Sequence, residues 1–133
     1  MSGLQVPVYY DFASSLCYIA HRVLGRLAED WAALDLELRW VPLDLTRLTH
    51  WERGAPLEGT GRENVCRVSD ELQVPLRIPA QWIDSRRAMG VALALSDSNQ
   101  EKAWRERVWT AIYEEGIDLS TPGHFERIAS DLG

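Results

Sequence analysis

The sequence predicts an α/β fold, with a βαβ unit over residues 1–45 followed by a mainly helical region over residues 46–133. Three observations predict it. Residues 6–12 are β-branched and aromatic, which is typical of a strand, and they stop at a small polar cluster. Apolar residues then recur every three or four positions, and the alternation over residues 36–42 indicates a second strand. We therefore expect two parallel strands joined by a right-handed crossover.

Composition and charge exclude several classes of protein, including membrane-spanning, secreted and nucleic-acid-binding proteins, from what we expect of this chain. The chain has 133 residues, of which 46% are hydrophobic and 26% charged, so it fits a single globular domain. It has no apolar run long enough to span a bilayer and no basic, apolar leader at its start, so we expect a cytoplasmic protein that does not enter a membrane. With a net charge of -6 and scattered arginines, nucleic acid is not an expected partner.

The first helix is predicted to begin just after the first strand. Ser14 or Ser15 is a suitable N-cap. The helical pattern ends at residues 33–35. One apolar stripe runs along it, and we expect this stripe to face the core: Leu16, Ala20, Val23, Leu24, Leu27, Ala28 and Trp31.

The region after the second strand is interrupted before it becomes helical. Three glycines and a proline mark residues 54–61 as a loop, and residues 62–72 support a short helix. Pro75 and Pro79 favour an extended linker.

Three further helices are predicted towards the end of the chain. One starts at Asp84 and Ser85, and the next covers residues 101–115 with Gly116 as a left-handed C-cap. Thr121 and Pro122 are predicted as the N-cap and first position of the last helix.

The turn between the first strand and the first helix is the strongest candidate site. Ser14, Ser15 and Cys17 lie there, and a helix N-terminus favours thiolates and other anions. We expect Cys17 to react faster than Cys66. His21 follows Cys17 by four residues and is a weaker candidate partner. A serine that is only an N-cap and a cysteine that is only part of the core are the alternatives.

No metal site is predicted. The two cysteines lie far apart in sequence, and no metal-binding motif surrounds His21, His50 or His124. His50 and His124 are expected to be solvated or to cap helices.

Four segments resemble a known family in the right order. Residues 8–20 read Val-Tyr-Tyr-Asp-Phe-Ala-Ser-Ser-Leu-Cys-Tyr-Ile-Ala, and residues 40–43 read Trp-Val-Pro-Leu. Residues 83–89 read Ile-Asp-Ser-Arg-Arg-Ala-Met, and residues 111–119 read Ala-Ile-Tyr-Glu-Glu-Gly-Ile-Asp-Leu. Together they resemble DsbA-family thioredoxin-like proteins, in particular 2-hydroxychromene-2-carboxylate isomerases and kappa-class glutathione transferases.

The resemblance implies thiol or glutathione chemistry on a small-molecule substrate. Ser14 falls at the position of the serine that faces the glutathione sulfur, and Cys17 at the second cysteine of the family's Cys-X-X-Cys branch. A glutathione-dependent isomerase or transferase is the first expectation. A thiol-disulfide oxidoreductase using Cys17 is the second, although a dithiol cycle needs two sulfurs. A non-catalytic fragment or interaction module is the third.

Four residues are predicted to contact the substrate: Ser15, Trp51, Trp82 and Asp84. The two tryptophans lie on loops beside the expected cleft. Ser15 replaces the family's proline after the active serine, and Asp84 stands where the family has asparagine.

The resemblance also implies an incomplete thioredoxin-like fold with an inserted helical region. The family's cis-proline loop, two further strands and closing helix have no counterpart in this sequence. A two-stranded sheet leaves outer edges unpaired. We therefore expect a homo-oligomer formed through the edge near residues 8–11, or poor stability, unless residues 43–79 fold back over that edge.

Overall fold

The computed structural model describes residues 3–49 and 51–132. The elements follow in the order β1 (Leu4–Tyr10), α1 (Ser15–Arg26), α2 (Ala28–Ala33), β2 (Leu36–Pro42), a 3-10 turn (Leu45–Arg47), α3 (Gly59–Leu72), α4 (Arg86–Ala94), α5 (Glu101–Tyr113) and α6 (His124–Asp131). This is the predicted α/β class: a βαβ unit, then helices.

The two strands pair in parallel, from Leu4 opposite Leu36 to Tyr10 opposite Pro42. The predicted βαβ unit is therefore confirmed, and β2 has its predicted bounds. β1 begins and ends two residues earlier than predicted. The reason is a turn at Asp11, whose main-chain oxygen accepts from Ser14 N and whose carboxylate accepts from Ala13 N.

The outer edge of β1 carries no charged side chain. Leu43 N donates to Tyr10 O, so the main-chain groups of Tyr10 point towards β2. By alternation, those of Gln5, Pro7 and Tyr9 point away from it, and Pro7 has no N–H to offer there. Within the described residues, no main-chain hydrogen bond from residues 43–79 reaches this outer edge.

α1 buries a different face from the predicted one. Its buried residues are Ser15, Tyr18 and Ile19, whereas Leu16 is 47% exposed. Tyr18 stacks on Tyr113 of α5 with ring centroids 4.9 Å apart, and this aromatic contact sets the helix orientation. Of the predicted apolar stripe, Val23 packs against the core, whereas Leu16, Ala20, Leu27 and Ala28 are exposed. The helix also ends at Arg26, and α2 continues separately to Ala33.

The core is centred on α5, and nearly every turn of this helix contributes buried side chains. Trp109 is 1% exposed and packs edge-on against Phe12 with centroids 5.0 Å apart. The buried residues of α5 are Trp104, Arg105, Val108, Trp109, Ala111, Ile112 and Tyr113.

The remaining helix boundaries mostly follow the sequence. α3 begins three residues before the predicted start, and Gly116 adopts the predicted left-handed conformation with φ 72°. The predicted N-cap at Thr121 is wrong. Thr121 and Pro122 lie in a turn in which His124 N donates to Thr121 O, so α6 begins at His124 with Gly123 as its N-cap.

Candidate functional site

Ser14, one of the two predicted candidates, is the N-cap of α1, and Ser15 is the first residue of the helix. Its Oγ accepts a hydrogen bond from Cys17 N at 3.2 Å, and its own N–H donates to Asp11 O at 3.0 Å. A hydroxyl accepts and donates at the same time. The capping bond therefore leaves the Ser14 hydroxyl proton available for a second acceptor.

Asp11 holds the turn on which Ser14 sits. Its carboxylate is 1% exposed and accepts from Ala13 N at 2.9 Å, Ser85 Oγ at 2.6 Å and Leu45 N at 3.0 Å. These bonds join the β1–α1 turn to the start of α4 and to the 3-10 turn. The sequence analysis did not predict this role. An aspartate that accepts a hydrogen bond from the main-chain N–H two residues later is nevertheless a common turn.

A cavity of about 320 Å³ opens beside the turn. We call it the Ser14 cavity, and its lining includes Ser14, Ser15, Trp51, Arg62, Asn64 and Trp82. Of the six predicted site residues, four therefore line one cavity: Ser14, Ser15, Trp51 and Trp82. This volume lies at the lower end of the range for small-molecule sites.

Trp51 and Trp82 form one apolar wall of the Ser14 cavity. Their rings are stacked, with centroids 5.4 Å apart and planes inclined by 7°. Trp82 is held by its main chain, since its N–H donates to Ala55 O and its carbonyl accepts from Gly54 N. A Cβ at Gly61 would lie 3.2 Å from Trp51 Cη2, so the glycine lets the ring lie close against α3.

Ser15 is buried at the floor of the turn, 6% exposed. Tyr113 from α5 donates to Phe12 O at 2.7 Å in the same place. Burial raises the pKa of Tyr113 well above its usual value, so this phenol remains a neutral donor. The main chain before Ser14 is thus fixed from the core side.

Comparison with known proteins identifies the family of the chain. The family model of the DSBA-like thioredoxin domain matches residues 5–133. The chain belongs to this family. No curated protein matches it.

The fold of this DSBA-like domain is also seen in a solved structure of selenomethionine 2-hydroxychromene-2-carboxylate isomerase. The two share a TM-score of 0.72 and 24% sequence identity, over 98% of this chain and 66% of that one. The likeness confirms the predicted thioredoxin-like fold. The DSBA-like domain thus spans slightly less than two thirds of the isomerase structure.

Cys17 of the DSBA-like domain does not line the Ser14 cavity. It is half-buried against the core, whereas Cys66 is exposed on α3, and both are free thiols. The faster reaction of Cys17 stays a prediction.

Asp84 lies outside the Ser14 cavity lining as well. Its carboxylate accepts from Arg86 Nε at 2.9 Å and lies 3.5 Å from Arg53 Nε. The hydrogen bonds from Arg86, reinforced by the charge of Arg53, lower the pKa of Asp84. Its carboxylate is therefore an ion-pair partner at the start of α4, and its contact with substrate stays a prediction.

The histidines lie away from the Ser14 cavity or outside the described residues. His21 stacks on Trp109 at a centroid distance of 5.8 Å, and burial together with the charges of Arg105, Arg22 and Lys102 lowers its pKa to about 4. His124 Nδ1 lies 3.0 Å from Asp118 O at the start of α6. His50 lies outside the described residues.

Residues 3–49 and 51–132 of the DSBA-like domain contain neither a metal-ligand cluster nor a helix that could span a membrane. No group of three or more histidine, cysteine, aspartate or glutamate side chains is arranged to hold a metal ion in those ranges. Nor is any helix there long and apolar enough to cross a membrane.

Proposed function

We propose that this DSBA-like domain performs glutathione-dependent chemistry of the isomerase or transferase type, with Ser14 as the residue that orients the thiolate. One observation carries the proposal. The Ser14 hydroxyl stands at the N-terminus of α1 and lines a cavity large enough for a small ligand. The thiol of glutathione would supply the nucleophile, in the reducing environment of the cytoplasm.

The local electrostatics suit an anion at Ser14. The hydroxyl accepts from Cys17 N and keeps its proton for a thiolate sulfur. The first turn of α1 contains no acidic residue, so no side chain within that turn neutralises the positive end of the helix dipole. Both features favour the charged form of a bound thiol.

The walls of the Ser14 cavity suit the polar groups of glutathione and an apolar small-molecule substrate. Arg62 and Asn64 of α3 offer donors for a carboxylate and a peptide carbonyl of glutathione. The stacked Trp51 and Trp82 offer an apolar, flat surface for the small-molecule substrate. These residues would bind and orient the ligands.

The oxidoreductase alternative receives less support from the geometry. A dithiol cycle needs an attacking and a resolving sulfur within reach of the substrate. The attacking position holds Ser14, and Cys17 does not line the cavity.

Thermal melts with glutathione test the proposal. A ligand that binds only the folded state raises the melting temperature, so glutathione should raise it for the wild-type domain. Ser14→Ala should reduce this shift. Ser14→Asn is the matched control, because asparagine retains the N-cap but has no hydroxyl. It should also reduce the shift, whereas Cys17→Ala should preserve it.

Two outcomes would overturn the proposal. If glutathione leaves the melting temperature unchanged but the domain reduces insulin disulfides and Cys17→Ala abolishes this, the oxidoreductase function replaces it. If neither effect occurs, the domain is a non-catalytic module.

A further inference from the structure

Two walls of the Ser14 cavity meet near the start of α3. One wall is the stacked pair of Trp51 and Trp82, and the other is formed by the first turns of α3: Gly61, Arg62, Asn64 and Val65. A Cβ at Gly61 would lie 3.2 Å from Cη2 and 3.7 Å from Cζ2 of Trp51. Carbon atoms in favourable contact are about 3.5–4.0 Å apart. The Trp51 ring therefore occupies space that a side chain at position 61 would need.

The main chain at Gly61 does not require glycine. Other glycines of the described chain adopt a left-handed φ, but Gly61 does not, and it lies within α3. Inside a helix, glycine is less favourable than alanine, because it loses more conformational freedom on folding. What a side chain at this position would disturb is the close approach of the Trp51 ring.

The main chain that carries Trp51 is held in place. Trp51 N donates to Thr49 Oγ1 at 3.2 Å. Two residues after Trp51, the guanidinium of Arg53 is paired with the carboxylates of Asp44 and Asp84. Because the main chain is held on both sides of Trp51, an added side chain on α3 should displace the ring rather than the loop.

The Trp51 ring is accessible from the Ser14 cavity and has room to move. It is 37% exposed, whereas its stacking partner Trp82 is 5% exposed. A Cβ at Gly61 would require the ring to shift by a few tenths of an ångström. This shift changes how the ring lies on Trp82 and how far it stands from α3. Gly61 therefore sets the width of the cavity between α3 and the two tryptophans.

A flat, apolar group suits this part of the cavity. Arg62 is the only charged side chain among the described residues that line it, and most of the others are apolar. An aromatic ring packs favourably against a tryptophan ring at a defined separation. A change in the width of the cavity should therefore alter the affinity for ring-bearing ligands more than the affinity for ligands without a ring.

We propose that Gly61 is a specificity-determining residue of the Ser14 cavity. By leaving room for the Trp51 ring against α3, it fits the cavity to a flat, apolar group of the ligand. Within the proposed function, on which this role rests, the flat group belongs to the small-molecule substrate.

NMR titration of the ¹⁵N-labelled full chain tests this role with three probes: glutathione, S-benzylglutathione and benzyl alcohol. S-benzylglutathione should bind more tightly than glutathione, because its benzyl group packs on Trp51. Gly61→Ala should weaken the binding of both ring-bearing probes about fivefold, which corresponds to the loss of one aromatic contact. The same variant should weaken glutathione binding less.

A double-mutant cycle tests whether Gly61 acts through the Trp51 ring. Trp51→Phe shortens the ring and makes room for a Cβ at position 61. In the Trp51→Phe background, Gly61→Ala should therefore have no further effect on the binding of either ring-bearing probe.

Gly90→Ala is the matched control. Gly90 lies in α4, outside the lining of the Ser14 cavity, and a Cβ there would meet nothing within 4 Å. This variant should bind all three probes like the wild type. Without any probe, Gly61→Ala should shift the Trp51 indole N–H signal, whereas Gly90→Ala should not. A thermal melt of each variant establishes that it is folded.

The role of Gly61 is overturned if folded Gly61→Ala binds both ring-bearing probes like the wild type or weakens glutathione binding equally. It is also overturned if Gly61→Ala acts equally in the Trp51→Phe background, or if neither ring-bearing probe binds at millimolar concentration. A different result separates the two proposals. If both glutathione probes fail to bind but benzyl alcohol binds and depends on Gly61, the glutathione chemistry fails and the role of Gly61 stands.

Discussion

Two cavities lie at different parts of α1 and differ in how the fold treats their polar groups. In the Ser14 cavity, the key hydroxyl already accepts the capping hydrogen bond of α1, and its turn is held by Asp11. The second cavity, which we call the Arg105 cavity, has a volume of about 420 Å³ and is lined by residues of α1, α2, β2 and α5. Beside it, Nε and Nη1 of Arg105, Oε1 of Glu101 and Nε1 of Trp31 are buried without a hydrogen-bond partner among the described residues.

The two cavities are built from different parts of the fold. The Ser14 cavity is assembled from a turn and from loops, so its polar groups also serve the local backbone. The Arg105 cavity is assembled from four regular elements whose side chains meet only after folding. The effects of substitutions on the free energy of unfolding should therefore differ between the two cavities. The larger effects are expected at buried charged residues.

Arg105→Leu is expected to have the largest effect. It leaves the partly buried Glu101 without its partner, and removing one member of a fully buried ion pair costs about 3–5 kcal/mol, which sets the upper limit for this pair. Urea unfolding at pH 7 measures the loss. The double variant Arg105→Leu with Glu101→Leu should recover most of it, because two apolar residues replace both charges. If the single and double variants are equally unstable, the pair does not act as described.

Asp11→Asn should have the next largest effect, on the turn that carries Ser14. The carboxylate accepts three hydrogen bonds, and the amide cannot accept all of them, so we expect a loss of about 2–3 kcal/mol. Asp97→Asn, at an exposed position, should change the free energy of unfolding by less than about 0.5 kcal/mol. Equal effects of the two changes in urea unfolding would refute the role given to Asp11.

The pH dependence of stability should reveal His21, which lines the Arg105 cavity. Its pKa is about 4 in the folded chain, mainly through burial, against about 6.5 in the unfolded chain. Between these values the unfolded chain binds a proton that the folded chain does not, so stability falls as the pH falls. From pH 7 to pH 5, His21 should remove roughly 2 kcal/mol.

Urea unfolding of His21→Gln at the same two pH values isolates this contribution. The variant should lose about 2 kcal/mol less than the wild type between pH 7 and pH 5. Parallel pH curves for the two proteins would contradict the burial argument for His21.

Ser14→Ala should have the smallest effect on stability, about 1 kcal/mol, because it removes one N-cap hydrogen bond. Ser14→Asn should retain nearly the full stability in the same thermal melts, since asparagine also caps helices. If both variants are equally destabilised, the hydroxyl serves the fold in a way that capping does not explain.

Much of the fold could be predicted because its signals are local. The bounds of β2, the N-cap at Ser14 and the left-handed Gly116 follow from residue type and short spacing. The buried face of α1 could not be predicted in this way. Periodicity favoured the stripe containing Leu16, but contact between Tyr18 and Tyr113, far apart in sequence, decided which face packs against α5.

The candidate site, like the fold, was predicted where its signals are local and not where they depend on tertiary packing. Ser14, Ser15, Trp51 and Trp82 could be proposed from turn chemistry and from the family resemblance, and they share one cavity. Asp84 does not line it. Its carboxylate is paired with Arg53 and Arg86, and the position of Arg53 depends on tertiary packing.

The buried pair of Arg105 and Glu101 has the ordinary spacing of an exposed helix pair. Nothing in that spacing distinguishes a buried ion pair from a solvated one. Only the packing of Trp40 over the guanidinium reveals that this pair is inside the protein.

An NMR titration of the ¹⁵N-labelled chain with glutathione at pH 7 tests whether glutathione binds beside Ser14. The six tryptophan indole N–H signals report on both cavities at once. Glutathione at the Ser14 cavity should shift the Trp51 and Trp82 indole signals and the Cys17 amide, and should leave the Trp31 and Trp104 indoles in place. No shift at saturating glutathione, or shifts confined to Trp31 and Trp40, would contradict the assignment of glutathione chemistry to Ser14.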